Sequence, residues 1–97
     1  MSFEVYVRPA AESDIQDVAK WYERQRNCLG EEFLDEILIV FDVLLENPEI
    51  YPLVHRNTHS AVMKRFPFGI FYRIKEEAIV VVAVMQSGGS IEHNIKN

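Results

Sequence analysis

Between Ser13 and Glu46 apolar residues recur every third or fourth position, and outside that stretch they recur every second. This change of period constrains the fold more than any other feature, because a 3.6-residue repeat builds a helix with one apolar stripe and a two-residue repeat builds a half-buried strand. The helical stretch is interrupted once, at Asn27-Cys28-Leu29-Gly30, which reads as a tight turn. Two helices joined by so short a connection form an antiparallel hairpin.

In the first helix Ile15, Val18, Ala19 and Tyr22 make the stripe, running to about Arg26. Ser13-Asp14-Ile15-Gln16 has the form of a capping box, with Asp14 and Asp17 suited to the positive end of the helix dipole. The second helix runs from Glu31 to about Glu46, where Asn47-Pro48 stops it. Phe33, Ile37, Val40, Phe41 and Leu44 form its stripe, widened by Leu34, Leu38 and Leu45. An arc this broad predicts burial on more than one side, against both the sheet and the first helix.

The flanking segments read as strands. Phe3-Glu4-Val5-Tyr6-Val7-Arg8 alternates until Pro9 and places Phe3, Val5 and Val7 on the buried face. Ile50–Asn57, with Pro52, reads as a loop, followed by strands Ala61–Phe66, Gly69–Lys75 and Ala78–Met85. The short Pro67-Phe68-Gly69 and Lys75-Glu76-Glu77 connections make these an antiparallel meander. Ile79–Val84 is apolar throughout, as a central strand covered on both faces would be. The expected architecture is therefore α+β, in the order β-α-α-β-β-β, with a helix hairpin packed on a small, mainly antiparallel sheet. Phe33, Ile37, Phe41 and Leu44 are expected to pack on Val80, Val82 and Val84 or their alternates, and Trp21 and Tyr22 to pack in the core or the hairpin. Residues 1–97 read as one domain, with Gln86–Ser90 a flexible loop and 91–97 a flexible tail.

Composition narrows the class. An apolar fraction of 48% and a charged fraction of 26% suit a globular chain rather than a disordered one. No run approaches the roughly 20 apolar residues of a membrane span, and Met1–Val7 lacks the form of a secretory signal. One cysteine, Cys28, allows no internal disulfide, which suits a reducing cytoplasm. The net charge is −5, but residues 1–46 hold four Lys/Arg against eleven Asp/Glu, whereas residues 47–97 hold six against four. The acidic excess belongs to the helices and the mild basic excess to the strands, with no polybasic tract of the kind that binds phosphate backbones.

Motifs for chemistry are sparse. His55 and His59 have the i, i+4 spacing of a helical metal pair, but they fall in a proline-bounded loop without a third ligand and read as solvated histidines. Cys28 reads as a small packing residue, and nothing positions His93. No cofactor motif is present. Lys64 and Arg65, adjacent on one strand, are expected on opposite faces, and Arg73 on the next strand is placed to hold a phosphate or a partner's carboxylate.

These segments together resemble the RelE/ParE toxin superfamily. The resemblance rests on Val7-Arg8-Pro9-Ala10-Ala11-Glu12-Ser13-Asp14-Ile15, on Phe33-Leu34-Asp35-Glu36-Ile37 with Asn47-Pro48-Glu49-Ile50-Tyr51-Pro52, and on Lys64-Arg65-Phe66-Pro67-Phe68-Gly69-Ile70-Phe71-Tyr72-Arg73-Ile74 followed by Val82-Ala83-Val84-Met85. It covers roughly residues 3–87 and is nearest the ParE branch. It implies the toxin of a type II toxin–antitoxin module for plasmid stabilisation, masked by a cognate antitoxin and present as a homodimer or a hetero-oligomer with that antitoxin. The antitoxin would wrap the sheet face that the helices leave bare or extend the sheet edge, and would order the tail. ParE toxins poison DNA gyrase, whereas RelE toxins cleave mRNA on the ribosome. The implied binding residues are Lys64, Arg65, Arg73 and Gln86, the first three also being the candidates for a nuclease. Family members carry a His and then an Arg after the last strand; here Gln86 and Gly89 occupy those places. Gln86 exchanges no proton near neutral pH and Gly89 offers no side chain, so the expectation is protein binding rather than RNA cleavage.

Overall fold

The computed structural model describes residues 3–86. Strand β1 (Glu4–Val7) leads into helices α1 (Pro9–Gln25) and α2 (Leu29–Glu46), followed by β2 (Leu53–His55), β3 (Thr58–Val62), β4 (Phe68–Lys75) and β5 (Ala78–Gln86). The five strands form one sheet in the order β1-β5-β4-β3-β2, with β1 parallel to β5 and every other pair antiparallel. The helix hairpin carries the chain from one edge of the sheet to the other and covers one face, so the α+β architecture expected from the sequence is the one observed.

Helix α1 starts four residues before the expected cap. Pro9 occupies the first helical position, where its missing N–H costs nothing and its fixed φ suits the helix. Ser13 therefore sits exposed inside the first turns instead of capping them. Arg8, the N-cap, donates its N–H to Val81 O at 3.1 Å, which ties the helix entrance to β5.

At the hairpin, Arg26 is extended and Cys28 adopts a left-handed conformation with φ 71°. Cys28 is exposed rather than packed. Gly30, expected in the turn, lies in the first turn of α2 and is buried against α1. The Glu23 carboxylate accepts the N–H groups of Cys28 and Gly30 at 2.9 and 3.0 Å, so α2 is capped by a side chain of the preceding helix.

The core joins Ala11, Ile15 and Ala19 of α1 to Phe33, Ile37, Val40 and Leu44 of α2, over Ala61, Ile70, Tyr72, Ile79, Val81 and Val84 of the sheet. Tyr22, Phe33, Phe66 and Phe68 cluster at one end, with Tyr22 and Phe66 ring centroids 4.8 Å apart and Phe33 and Phe66 5.3 Å apart. Three expectations need correction. Trp21 is half exposed and does not join the core. Phe41 is only partly buried, and Leu38 and Leu45 are exposed, so the outer part of the broad apolar arc on α2 is uncovered. On β5 the helix-facing residues are Ile79, Val81 and Val84, because a bulge shifts the phase: Tyr72 pairs with Val81 but Phe71 with Ala83, leaving Val82 unpaired.

The strand boundaries also move. Residues Leu53–His55 form a short edge strand rather than loop, one that Pro52 and its brevity conceal. Strand β3 lies three residues earlier than expected and ends at Val62. The tight turn at Pro67, closed by Phe68 N–H to Phe66 O at 2.8 Å, takes Lys64, Arg65 and Phe66 out of the ladder.

Candidate functional site

Strand β4 sorts its side chains by alternation. Ile70, Tyr72 and Ile74 face the helices, and Gly69, Phe71, Arg73 and Lys75 face the opposite side, where Phe71 and its neighbour Ser60 are buried and Arg73 and Lys75 are exposed. Arg73 is exposed there, and its Nε donates to Thr58 Oγ1 on β3 at 3.1 Å. Beside it a cavity of about 350 Å³ is lined by Arg8, Asn57, Arg73, Ile74, Lys75 and Val80. Arg8 reaches this cavity because β1 runs parallel to β5, which brings the start of α1 alongside Val81. The result is three cations around one opening in a chain of net charge −5.

Lys64 and Arg65 are elsewhere. They lie on the β3–β4 loop, not on opposite faces of a strand, and that loop is clamped to α2. Glu36 Oε2 accepts the backbone N–H groups of Lys64 and Arg65 at 3.1 and 3.3 Å. The Arg65 guanidinium pairs with Glu32 at 2.8 Å, and Arg26 reaches the same oxygen at 3.2 Å. Hydrogen bonds from Arg65 first, then Arg26, hold the Glu32 carboxyl below its ordinary range, and the bond to Glu32 raises Arg65. Arg65 also lies over the Phe66 ring, 5.2 Å from its centroid. Its donors are directed at α2, and its role in this structure is to fasten the loop.

Gln86 is exposed at the end of β5 and pairs in register with Phe68, whereas Arg73 pairs with Val80. Five residues of β4 separate the two levels, roughly 16 Å along the strand. The four residues expected as binding residues therefore divide into Arg73 on the face opposite the helices, Lys64 and Arg65 on the helix side, and Gln86 at the far end. Gly89 and His93 lie outside the described residues.

The histidines also divide. His59 is half-buried on β3, stacked 5.0 Å from the Tyr72 ring, and its Nδ1 donates to Tyr51 O at 2.7 Å. It is a structural residue rather than a solvated one. His55 sits on β2. Among the described residues no group of three His, Cys, Asp or Glu is placed to hold a metal ion, and no helix is long and apolar enough to cross a membrane. Sequence reasoning missed Arg8, Asn57 and Lys75. Lys75 was within reach, since residues two apart on a strand share a face with Arg73; Arg8 was not, because only the β1–β5 pairing brings it there.

Residues 5–89 match the family model of the ParE toxin of the type II toxin–antitoxin system parDE. The chain belongs to the ParE toxin family. Its fold is shared with a chain of the chromosomal ParDE toxin–antitoxin system from P. aeruginosa, with a TM-score of 0.71 at 16% identity over 87% of this chain and 95% of that one. A chain of the RelBE2 toxin–antitoxin complex from Mycobacterium tuberculosis gives 0.63 at 16% identity over 89% and 99%. No curated protein matches. Family membership makes this a ParE/RelE-type toxin of a type II toxin–antitoxin system.

Proposed function

We propose that this ParE-family toxin works by binding proteins: an antitoxin masks it, and DNA gyrase is its target once free. The observation that carries this reading is the dispersal of its basic residues. A ribonuclease of the RelE type needs cations and a proton-exchanging group converging on one scissile phosphate. Here Arg65 is committed to Glu32, Lys64 is on the same clamped loop, and Arg73 faces away across the sheet. Among the described residues the cavity beside Arg73 is lined by no carboxylate or imidazole.

Antitoxin binding is supported by what the fold leaves uncovered. Leu38 and Ile39 on α2 and Leu53, Val54 and Val62 at the β2–β3 edge are exposed apolar side chains. A masking segment that laid an apolar stripe along these positions would remove them from water. In a bacterial host, induction of this chain alone should arrest growth with a DNA-damage response, and co-expression of a small neighbouring reading frame should relieve it. Codon-specific mRNA cuts in a translation assay, abolished by Arg73→Ala, would instead establish the ribosome-dependent endonuclease.

A further inference from the structure

The cavity on the sheet face opposite the helices has a composition that protein docking does not call for. Arg8, Arg73 and Lys75 line it with Asn57, Ile74 and Val80, and Val80 shares the face of Arg73. Among the described residues no carboxylate is in the lining and none of the three cations is in an ion pair. Glu4, the acidic residue of β1, pairs with Ala78 and stays outside the lining. The bond from Arg73 Nε to Thr58 Oγ1 orients the guanidinium and leaves its two terminal nitrogens without a described partner. Arg8 is the N-cap of α1, so the positive end of that helix dipole adds to the field. A volume of about 350 Å³ lies within the usual range for a small-ligand site.

A second observation narrows the ligand. Val80 is flanked in register by Tyr6 on β1 and Arg73 on β4, so Tyr6 stands on the same face, roughly 10 Å across the sheet from Arg73. Tyr6 lies next to the cavity rather than in its lining, is 57% exposed, and among the described residues takes part in none of the aromatic pairs. An uncovered aromatic ring beside a cationic pocket is how proteins seat unpaired nucleotides: the ring stacks on the base and the cations take the phosphate. An acidic peptide would use the cations but not the ring.

We propose that this cavity binds a nucleotide unit without cleaving it, its base over Tyr6 and its phosphate between Arg8, Arg73 and Lys75. The unit can come from a free mononucleotide or from a single strand, since both present the same base and phosphate. The proposal does not depend on gyrase being the target.

The test uses the full chain, with titration calorimetry for AMP and inorganic phosphate and fluorescence anisotropy for labelled eight-nucleotide single-stranded RNA and DNA. AMP binding would identify the free nucleotide as the source, and strand binding without AMP binding the strand; either upholds the site. R73Q combined with K75Q should weaken binding at least tenfold, and K20Q combined with K64Q, the same loss of two charges outside the cavity, should not. Y6A should weaken nucleotide binding by about 5- to 150-fold and leave phosphate binding unchanged. All of these side chains are exposed, so each variant should melt like the parent. The proposal is overturned if neither AMP nor either strand binds at millimolar concentration. It is equally overturned if an oligoglutamate peptide binds as tightly as the strands and Y6A changes nothing.

Discussion

Replacing Gly30 with alanine sets two physical effects against each other, and the structure decides which wins. On helix propensity alone the substitution inside α2 should stabilise the protein by about 1 kcal/mol. In the fold, however, a Cβ at Gly30 would lie 2.4 Å from Ala19 O and 3.2 Å from Ala19 C, which are backbone atoms of α1. Neither can rotate aside, so the helices must separate by the better part of an ångström. Overpacking of this kind costs about 1–3 kcal/mol or more. The same Cβ would lie 3.1 Å from Glu23 Oε1, the atom that accepts the Gly30 N–H, so the cap of α2 is strained as well. The contact and the cap together outweigh propensity, and the expected net loss is about 2 kcal/mol. For a domain of this size that lowers the melting temperature by about 8–16 °C. Urea denaturation and a thermal melt of G30A measure it directly. A variant as stable as the parent, or more stable, would show that the hairpin has slack at this contact and refute the argument.

Phe33→Ala should cost about 3–5 kcal/mol in urea denaturation, because the ring is fully buried among Tyr22, Phe66 and Phe68. Phe41→Ala, at a partly exposed position, should cost clearly less. By carboxyl NMR the Glu32 midpoint should fall below that of an ordinary glutamate, and Arg65→Ala should move it back up. A depressed carboxylate stabilises the fold above its unfolded pKa and ceases to do so as pH falls through the folded one; since the pair is exposed, that effect should be small and fade with added salt. Burial pushes the Tyr72 phenol up to about 12, and its hydroxyl donates to Pro48 O at 2.7 Å. Tyr72 should therefore be the last tyrosine to ionise in a spectrophotometric titration, and its contribution to stability, full below pH about 10, should be lost as pH rises towards 12. Tyr72→Phe should remove the late step.

Much of this protein was legible from its sequence because its constraints are local. The two apolar periods, Pro9, the break at Asn27–Gly30 and the stop at Asn47-Pro48 define a helix hairpin between strands without reference to anything distant. The order of the sequence segments was enough to point to the family. What the tertiary structure decided was every feature that depends on residues far apart in the chain. Helix α2 is capped by Glu23 of the preceding helix, and the bulge at Val82 brings Val81 and Val84, three apart, to the same core-facing side. Lys64 and Arg65 lie within a predicted strand, yet Glu32 and Glu36, about thirty residues earlier, draw their loop onto α2. Arg8 and Lys75 share a cavity only because β1 runs parallel to β5. A strand's alternation shows that Arg73 and Lys75 share a face, but which cations meet across a sheet depends on pairing and register, and those are set by the packing of the whole chain.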